Sequence, residues 1–296
     1  MNKYRILALD GGGIRGALTV NLLARLKNKY PPLICNTDLL AGTSTGGFIA
    51  LGLADQQPIK RLLDLYTVKN LQSVFNPDYI NLIRPRYDRA GLKTVLQTVF
   101  PPQKKLQQLS KQVVVPALRV VGPKNWQTVF FNNFKNSSTR KKSILEVALA
   151  TSAAPTYFPS YQQYIDGGLA ANNPSLAALS LAKNKLSLPL SKIRLFSIGT
   201  GLKPNKIDNS NDWGILQWAV NPNPPPQFPL LNLFTEGNKE TTAQISQYLL
   251  ENHSYRLNPP LPCCISLDEY EKIPDLIKLA HSCNLQPAIN WLQNNW

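Results

Sequence analysis

The chain has 296 residues, 43% of them hydrophobic and 17% charged, with no repeat or low-complexity tract, so a large globular domain is expected and a disordered or fibrous chain is excluded. Apolar runs are all too short to cross a bilayer, and the first one is cut off by Asp10, so neither a spanning helix nor a signal peptide is expected. The formal net charge is +15, and between residues 60 and 142 sixteen Lys and Arg face only Asp64, Asp78 and Asp88, which puts +13 of it in one segment.

In chain order, residues 4–9 are predicted as a buried strand. Residues 16–29 follow as a helix, with Leu18, Leu22, Leu23 and Leu26 near helical spacing. "TDLLAGTSTGGFIALGLA" reads as a short apolar strand, a glycine-bounded turn and an apolar helix, and residues 60–110 as helical and loop-rich. "KQVVVPALRVV" and "QTVFFNNF" are predicted strands, with Pro116 pointing to a sheet edge or a bulge. "SILEVALATSAAP" is a helix ended by Pro155, "YQQYID" a strand, "SLAALSLAKNKL" a helix and "KIRLFSIGTG" a strand. Strands alternating with helices predict an α/β layered sheet. Residues 203–235, which include "NPNPPPQFPLLNLF", read as a long irregular loop, and 236–251 and 273–295 as surface helices that pack on the core or cover a site.

The glycine run after the first strand fits two templates. Gly11, Gly13 and Gly16 satisfy the G-x-G-x-x-G of a dinucleotide-binding turn, and the same backbone N–H groups ahead of a helix suit a developing oxyanion. The dinucleotide reading needs a second strand ending in an acid. Asp38 is available, but the chain runs from it straight into another glycine turn.

That second turn, Gly42-Thr43-Ser44-Thr45-Gly46, is G-x-S-x-G between a predicted strand and a predicted helix. A nucleophile on so tight a turn needs small neighbours two residues before and after it. The helix behind it also presents free N–H groups to a developing charge. The bland alternative is a helix cap after a glycine turn. A serine hydroxyl needs a base, and the two histidines, His253 and His281, lie in sequence contexts that aim neither at a site. Asp166 is the other candidate: it ends a predicted strand and precedes Gly167-Gly168, although an Asp also commonly opens such a turn.

"DGGGIRG", "GTSTGG", "ATSAAPTYFP" and "YIDGGLAANNP", in that order from residue 10 to residue 174, resemble the signature blocks of the patatin-like phospholipases, and "RLFSIGTG" extends the likeness to about residue 201. The resemblance implies a three-layer α/β/α fold with a mostly parallel central sheet and a nucleophile elbow. It also implies a serine acyl hydrolase that works with a Ser–Asp dyad and no catalytic histidine. By position, Ser44 is similar to the family's nucleophile and Asp166 to its base. Gly11, Gly12 and Gly13 resemble the oxyanion-hole loop, to which the N–H of Thr45 is added. Arg15 matches the motif's arginine, as a support for that loop or a group facing an anionic headgroup, and Gly42, Gly46, Gly167 and Gly168 support the two turns.

The expected substrate is a phospholipid or another polar acyl lipid, and no metal or other cofactor is expected. The alternatives are acyl transfer by the same dyad and a non-catalytic basic module that binds membrane or nucleic acid. Aromatic residues interleave with the charges in "SVFNPDYINLIRPRYDRAGL" and "NWQTVFFNNFKN", which supports docking on an anionic membrane surface, with no nucleic-acid partner expected. Cys35, Cys263, Cys264 and Cys283 follow no metal-ligand spacing and are expected as buried free thiols of a cytoplasmic protein that associates peripherally with membrane. A single domain over 1–296 is expected, with its motif-bearing core at 4–201 and a cover or lid drawn from 203–296.

Overall fold

The structure is a computed structural model that describes residues 3–76, 84–123, 125–202, 207, 210–221 and 228–296. Residues 77–83 of the basic segment and 222–227 of the proline-rich tract, where part of the lid reading falls, lie outside the described residues.

Among the described residues, seven strands form one mixed sheet: β1 (Tyr4–Leu9), β2 (Leu39–Gly42), β3 (Gln112–Arg119), β4 (Gln127–Asn132), β5 (Tyr164–Asp166), β6 (Ile193–Ile198) and β7 (Ser254–Leu257). Their order is β4-β3-β2-β1-β6-β7, with β5 paired to β3. The pairings β2·β3, β1·β2, β1·β6 and β6·β7 are parallel, and only β4 and β5 run antiparallel to β3.

The helices are α1 (Gly16–Lys29), α2 (Pro32–Cys35), α3 (Thr45–Ala54), α4 (Ile59–Asp64), α5 (Val68–Val74), α6 (Ala90–Gln97), α7 (Ile144–Thr151), α8 (Gly168–Ala171), α9 (Ser175–Leu186), α10 (Ile215–Ala219), α11 (Pro229–Leu250), α12 (Ile273–Ser282) and α13 (Gln286–Asn295). β1 explains the layering. Its Leu7 and Leu9 enter one core with α1, α3, α7, α12 and α13, whereas Ile6 and Ala8 enter a second core with α9 and the end of α11. Both faces of the sheet are therefore buried, as near-continuous apolar strands require.

Register brings the glycine turns together. Leu9 pairs with Gly42 on one side and with Ile198 on the other, so the loops after β1, β2 and β6 leave the same edge of the sheet. β3 pairs with β2 through Val114, then with β5 from Ala117 onward, while β4 lies along its other side. The elbow turns the chain away from β3 just where β5 arrives antiparallel in the same lane, so Ser44 and Asp166 meet end to end. Pro116 sits at this change of neighbour, which is why a proline is accepted inside the sheet; neither an edge nor a bulge is needed.

Two expectations are corrected and one strand is added. The long irregular loop ends early: α10 lies within it, and α11 starts at Pro229 rather than near 236. A proline at the first helical position lacks only an N–H that has no intrahelical partner there, and the residues after it are good helix formers. β7 is a strand that a four-residue "SYRL" does not announce; parallel pairing with β6 recruits it. The cysteines are free, but Cys35, Cys263 and Cys264 are exposed rather than buried. Among the described residues no helix is long and apolar enough to cross a membrane.

Candidate active site

Ser44 sits between β2 and α3 with φ of 51° and ψ of −121°, a left-handed conformation that a side chain adopts only when its surroundings impose it. The glycines around it are required by contact. A Cβ on Gly42 would strike the carbonyl of Gly46, and one on Gly46 would strike the carbonyl of Leu9. The Ser44 N–H donates to Oγ1 of Thr151 at 3.0 Å, and that hydroxyl donates to the Pro116 carbonyl at 2.6 Å. Thr151 thus ties the strained residue to the point where β3 changes neighbours.

Asp166 is buried beside Ser44. Its carboxylate accepts the Gly168 N–H at 2.6 Å, and together with Ser44 it lines both cavities of the site. Burial pushes its carboxyl up to about 7, against the downward pull of the Gly168 N–H and the neighbouring Ser44 hydroxyl. A Cβ on Gly167 would strike the Pro116 carbonyl, so the turn closes only with glycine there.

The first glycine loop lies alongside. Gly11 donates its N–H to the Asn172 carbonyl at 3.0 Å, so this donor is already engaged. Among the described residues no hydrogen-bond acceptor is found for the N–H groups of Gly12 and Gly13, nor for that of Thr45 at the first position of α3. Gly13 lines both cavities at Ser44 and Gly12 lines one of them; Gly11 lines neither. Of the four N–H groups expected in an oxyanion hole, three are unengaged.

Arg15 is fully buried. Its Nε donates to the Gly12 carbonyl at 3.3 Å, and Nη2 donates to Oε1 of Glu236 on α11 at 2.7 Å. Glu236 also pairs with the buried Lys239, whose Nζ lies 3.4 Å from the Thr200 hydroxyl; that hydroxyl donates to the Gly11 carbonyl at 3.0 Å. Helix α11 therefore holds the loop from outside.

Two cavities meet at Ser44 and Asp166. The first is walled by Phe48, Leu65, Val74, Leu92, Val95 and Leu96, mostly from α4 to α6, and among its apolar side chains the polar groups gather near Ser44. The second is the more polar of the two, with Arg15, Asn172, Asn232, Thr235 and Glu236 standing among Ala154, Pro155, Leu169, Leu231 and Leu267. Neither histidine lines either cavity. Such a site can attack an acyl carbon with a hydroxyl, take up its proton and stabilise an oxyanion between apolar and polar compartments.

The family model for patatin-like phospholipases matches residues 7–179, more than half of the chain. The chain belongs to the patatin-like phospholipase family. Among its relatives, Protein teg of Priestia megaterium is 33% identical with 100% of each chain covered. The putative sporulation hydrolase CotR of Bacillus subtilis is 32% identical, with 100% of this chain and 99% of the relative covered. A cGAMP-activated phospholipase of Pseudomonas aeruginosa is 34% identical over 67% of this chain and 62% of its own length. Membership places the chain in a class of lipid hydrolases.

This patatin-like chain also uses residues that its motifs do not mark. Thr151 lies inside "ATSAAP", yet its hold on Ser44 shows only in three dimensions. Tyr66 is 2.5 Å from the Thr45 hydroxyl and donates to the Thr45 carbonyl at 3.0 Å, fixing the first turn of α3. Glu236, Lys239 and Arg256 lie beyond the family match, where only distant pairing reveals them.

Proposed function

We propose that this chain hydrolyses carboxylic esters of phospholipids or related polar acyl lipids through a Ser44–Asp166 dyad. The observation that carries this reading is the strained Ser44 beside a buried carboxylate poised near neutrality, where an apolar cavity meets a more polar one. Asp166 takes the hydroxyl proton as Ser44 Oγ attacks the ester carbonyl. The oxyanion is received by the N–H groups of Gly12, Gly13 and Thr45, each such donor being worth about 3 kcal/mol. The alcohol leaves with the proton held by Asp166, and the same carboxylate then activates water against the acyl-enzyme. The acyl chain occupies the apolar cavity, and the polar part of the lipid faces Arg15, Asn172 and Asn232. Relatives named as phospholipases and as a hydrolase support this class of reaction.

The test is labelling with a serine-directed fluorophosphonate, together with hydrolysis of a short-chain chromogenic ester. Wild type is labelled and active, while Ser44→Ala loses both and Asp166→Asn loses turnover. Activity persisting in Ser44→Ala overturns the reading.

A further inference from the structure

Helix α11 is built inside out. Of its charged residues, Lys239 is buried, Glu236 is mostly buried, and Glu240 pairs with Arg256 at the flank with its side chain 43% exposed; Thr242 and Ser246 are buried as well. Its exposed positions, 230, 233, 234, 237, 241, 244, 245 and 247–249, carry no charge at all. Leu230, Leu233 and Phe234 near its start and Ile245, Tyr248 and Leu249 near its end form two outward apolar clusters, joined along the same face by the uncharged Gly237, Thr241 and Gln244, with Phe234 61% and Tyr248 78% exposed. A surface helix ordinarily has the opposite arrangement. The neighbouring α10 extends the patch with Ile215 and Leu216, 87% and 79% exposed, and Trp213 and Trp218 stack edge to face beside it.

The inner side of the same helix is fastened to the site. Asn172 Nδ2 donates to the Thr235 carbonyl at 2.9 Å, Asn238 Nδ2 donates to the Ala170 carbonyl at 3.1 Å, and Glu236 holds Arg15. Leu231, Asn232 and Thr235 line the polar cavity that reaches Ser44. Phe228, at the start of α11, packs edge to face on Tyr157, which lines both cavities.

We infer that the outward face of α10 and α11 docks on a lipid bilayer by apolar insertion and sets the polar cavity over the membrane. The choice of a lipid occupant rests on the proposed lipid substrate and on continuity between this face and the cavity. Large exposed apolar patches mark interaction surfaces, and a Trp- and Tyr-bearing uncharged stripe suits the bilayer interface. The basic segment, by contrast, has several of its cations engaged within the protein: Arg86 with Asp268, Lys104 with Asp55, and Lys111 and Arg89 with backbone carbonyls. Docking through α10 and α11 is therefore insensitive to salt.

The experiment is co-sedimentation of the full chain with zwitterionic phosphatidylcholine vesicles in about 0.1 M and about 1 M salt, where screening differs strongly. It compares wild type with the triple variant Leu230→Ser, Leu233→Ser, Phe234→Ser, none of which lines either cavity. Wild type binds at both salt concentrations, and the variant loses about tenfold or more of its partitioning while cleaving a soluble short-chain ester as wild type does. Unchanged binding in the variant overturns the proposal. So does binding that requires anionic lipid and vanishes with salt, or a lipid-free dimer of wild type that the substitutions dissolve. Loss of vesicle binding in the variant supports the docking face even if Ser44 takes no label, so the two readings fail separately.

Discussion

Arg256 on β7 reaches Asp10 with two nitrogens: Nη2 lies 2.7 Å from Oδ2 and Nη1 3.4 Å from Oδ1. Asp10 is fully buried, and its own N–H donates to the Ile198 carbonyl, so this pair fixes the start of the glycine loop against the neighbouring strands. Removing one partner of a buried pair leaves an unmatched charge, at a cost of about 3–5 kcal/mol. Arg256→Met is expected to lower stability in chemical denaturation by about that amount. Asp10→Asn combined with Arg256→Met recovers part of the loss, because the buried carboxylate is then gone and Glu240, the other partner of Arg256, is 43% exposed and keeps its hydration; a double variant no more stable than Arg256→Met alone would refute this.

As the proposed base, Asp166 is expected to set the pH dependence. Its carboxyl is held up near 7, so turnover of a soluble ester rises with pH through about 7 as the base ionises, then levels off. Stability runs the other way. The folded state keeps the proton that the unfolded chain loses near its ordinary carboxylate value, so folding is favoured below that value and the contribution is lost as pH rises toward 7. Each pH unit of difference corresponds to about 1.4 kcal/mol. Asp166→Asn should therefore unfold at higher temperature than wild type at pH 8 and nearly with it at pH 4, read by thermal melts at both pH values.

Thr151 is the acceptor for the Ser44 N–H. Thr151→Val removes that acceptor without changing shape, so the turn relaxes and the nucleophile drifts from its base. We expect kcat to fall by about ten- to a hundredfold with KM little changed, since misplacing a reacting group acts on the transition state. Thr151→Ser keeps the hydroxyl and should retain most of the activity. Equal losses in both variants would show that packing, not the hydrogen bond, is at stake.

Ser44 and Asp166, the proposed nucleophile and base, stand out in the sequence because each sits in a contiguous signature: Ser44 between glycines that must be glycines, Asp166 ahead of two more. The parallel core was legible for the same reason, since each apolar strand runs directly into a turn and a helix. What holds the site together was hidden by sequence distance. Thr151 lies 107 residues from Ser44, Glu236 lies 221 from Arg15 and Arg256 lies 246 from Asp10. No local pattern marks such partners. β7 was missed because a four-residue strand draws its identity from its neighbour. The start of α11 was masked by the prolines before it, which read as loop although the last of them begins a helix.

Gly12 offers a test of the loop that spares the dyad. A Cβ there would strike the Thr200 side chain, whose hydroxyl holds the Gly11 carbonyl. Gly12→Ala should displace the unengaged N–H groups from the place where charge develops, and one lost donor costs about a hundred- to a thousandfold in kcat. Binding to vesicles should be unchanged, because the outward face of α11 is untouched. Turnover within about threefold of wild type would remove Gly12 from the proposed oxyanion hole.

The apolar cavity makes a prediction about chain length. Leu96 lies on α6 in the cavity wall, and its neighbours Leu92 and Val95 line the same space. Leu96→Trp fills that space with a larger ring, at a packing cost of about 1–3 kcal/mol that a melt would register. If the acyl chain lies there, the variant loses activity on long-chain esters while short-chain esters, which stop before the constriction, are cleaved as before. The ratio of the two rates cancels any general loss from overpacking. A ratio unchanged from wild type would place the acyl chain elsewhere, with the polar cavity beside Arg15 the next space to probe.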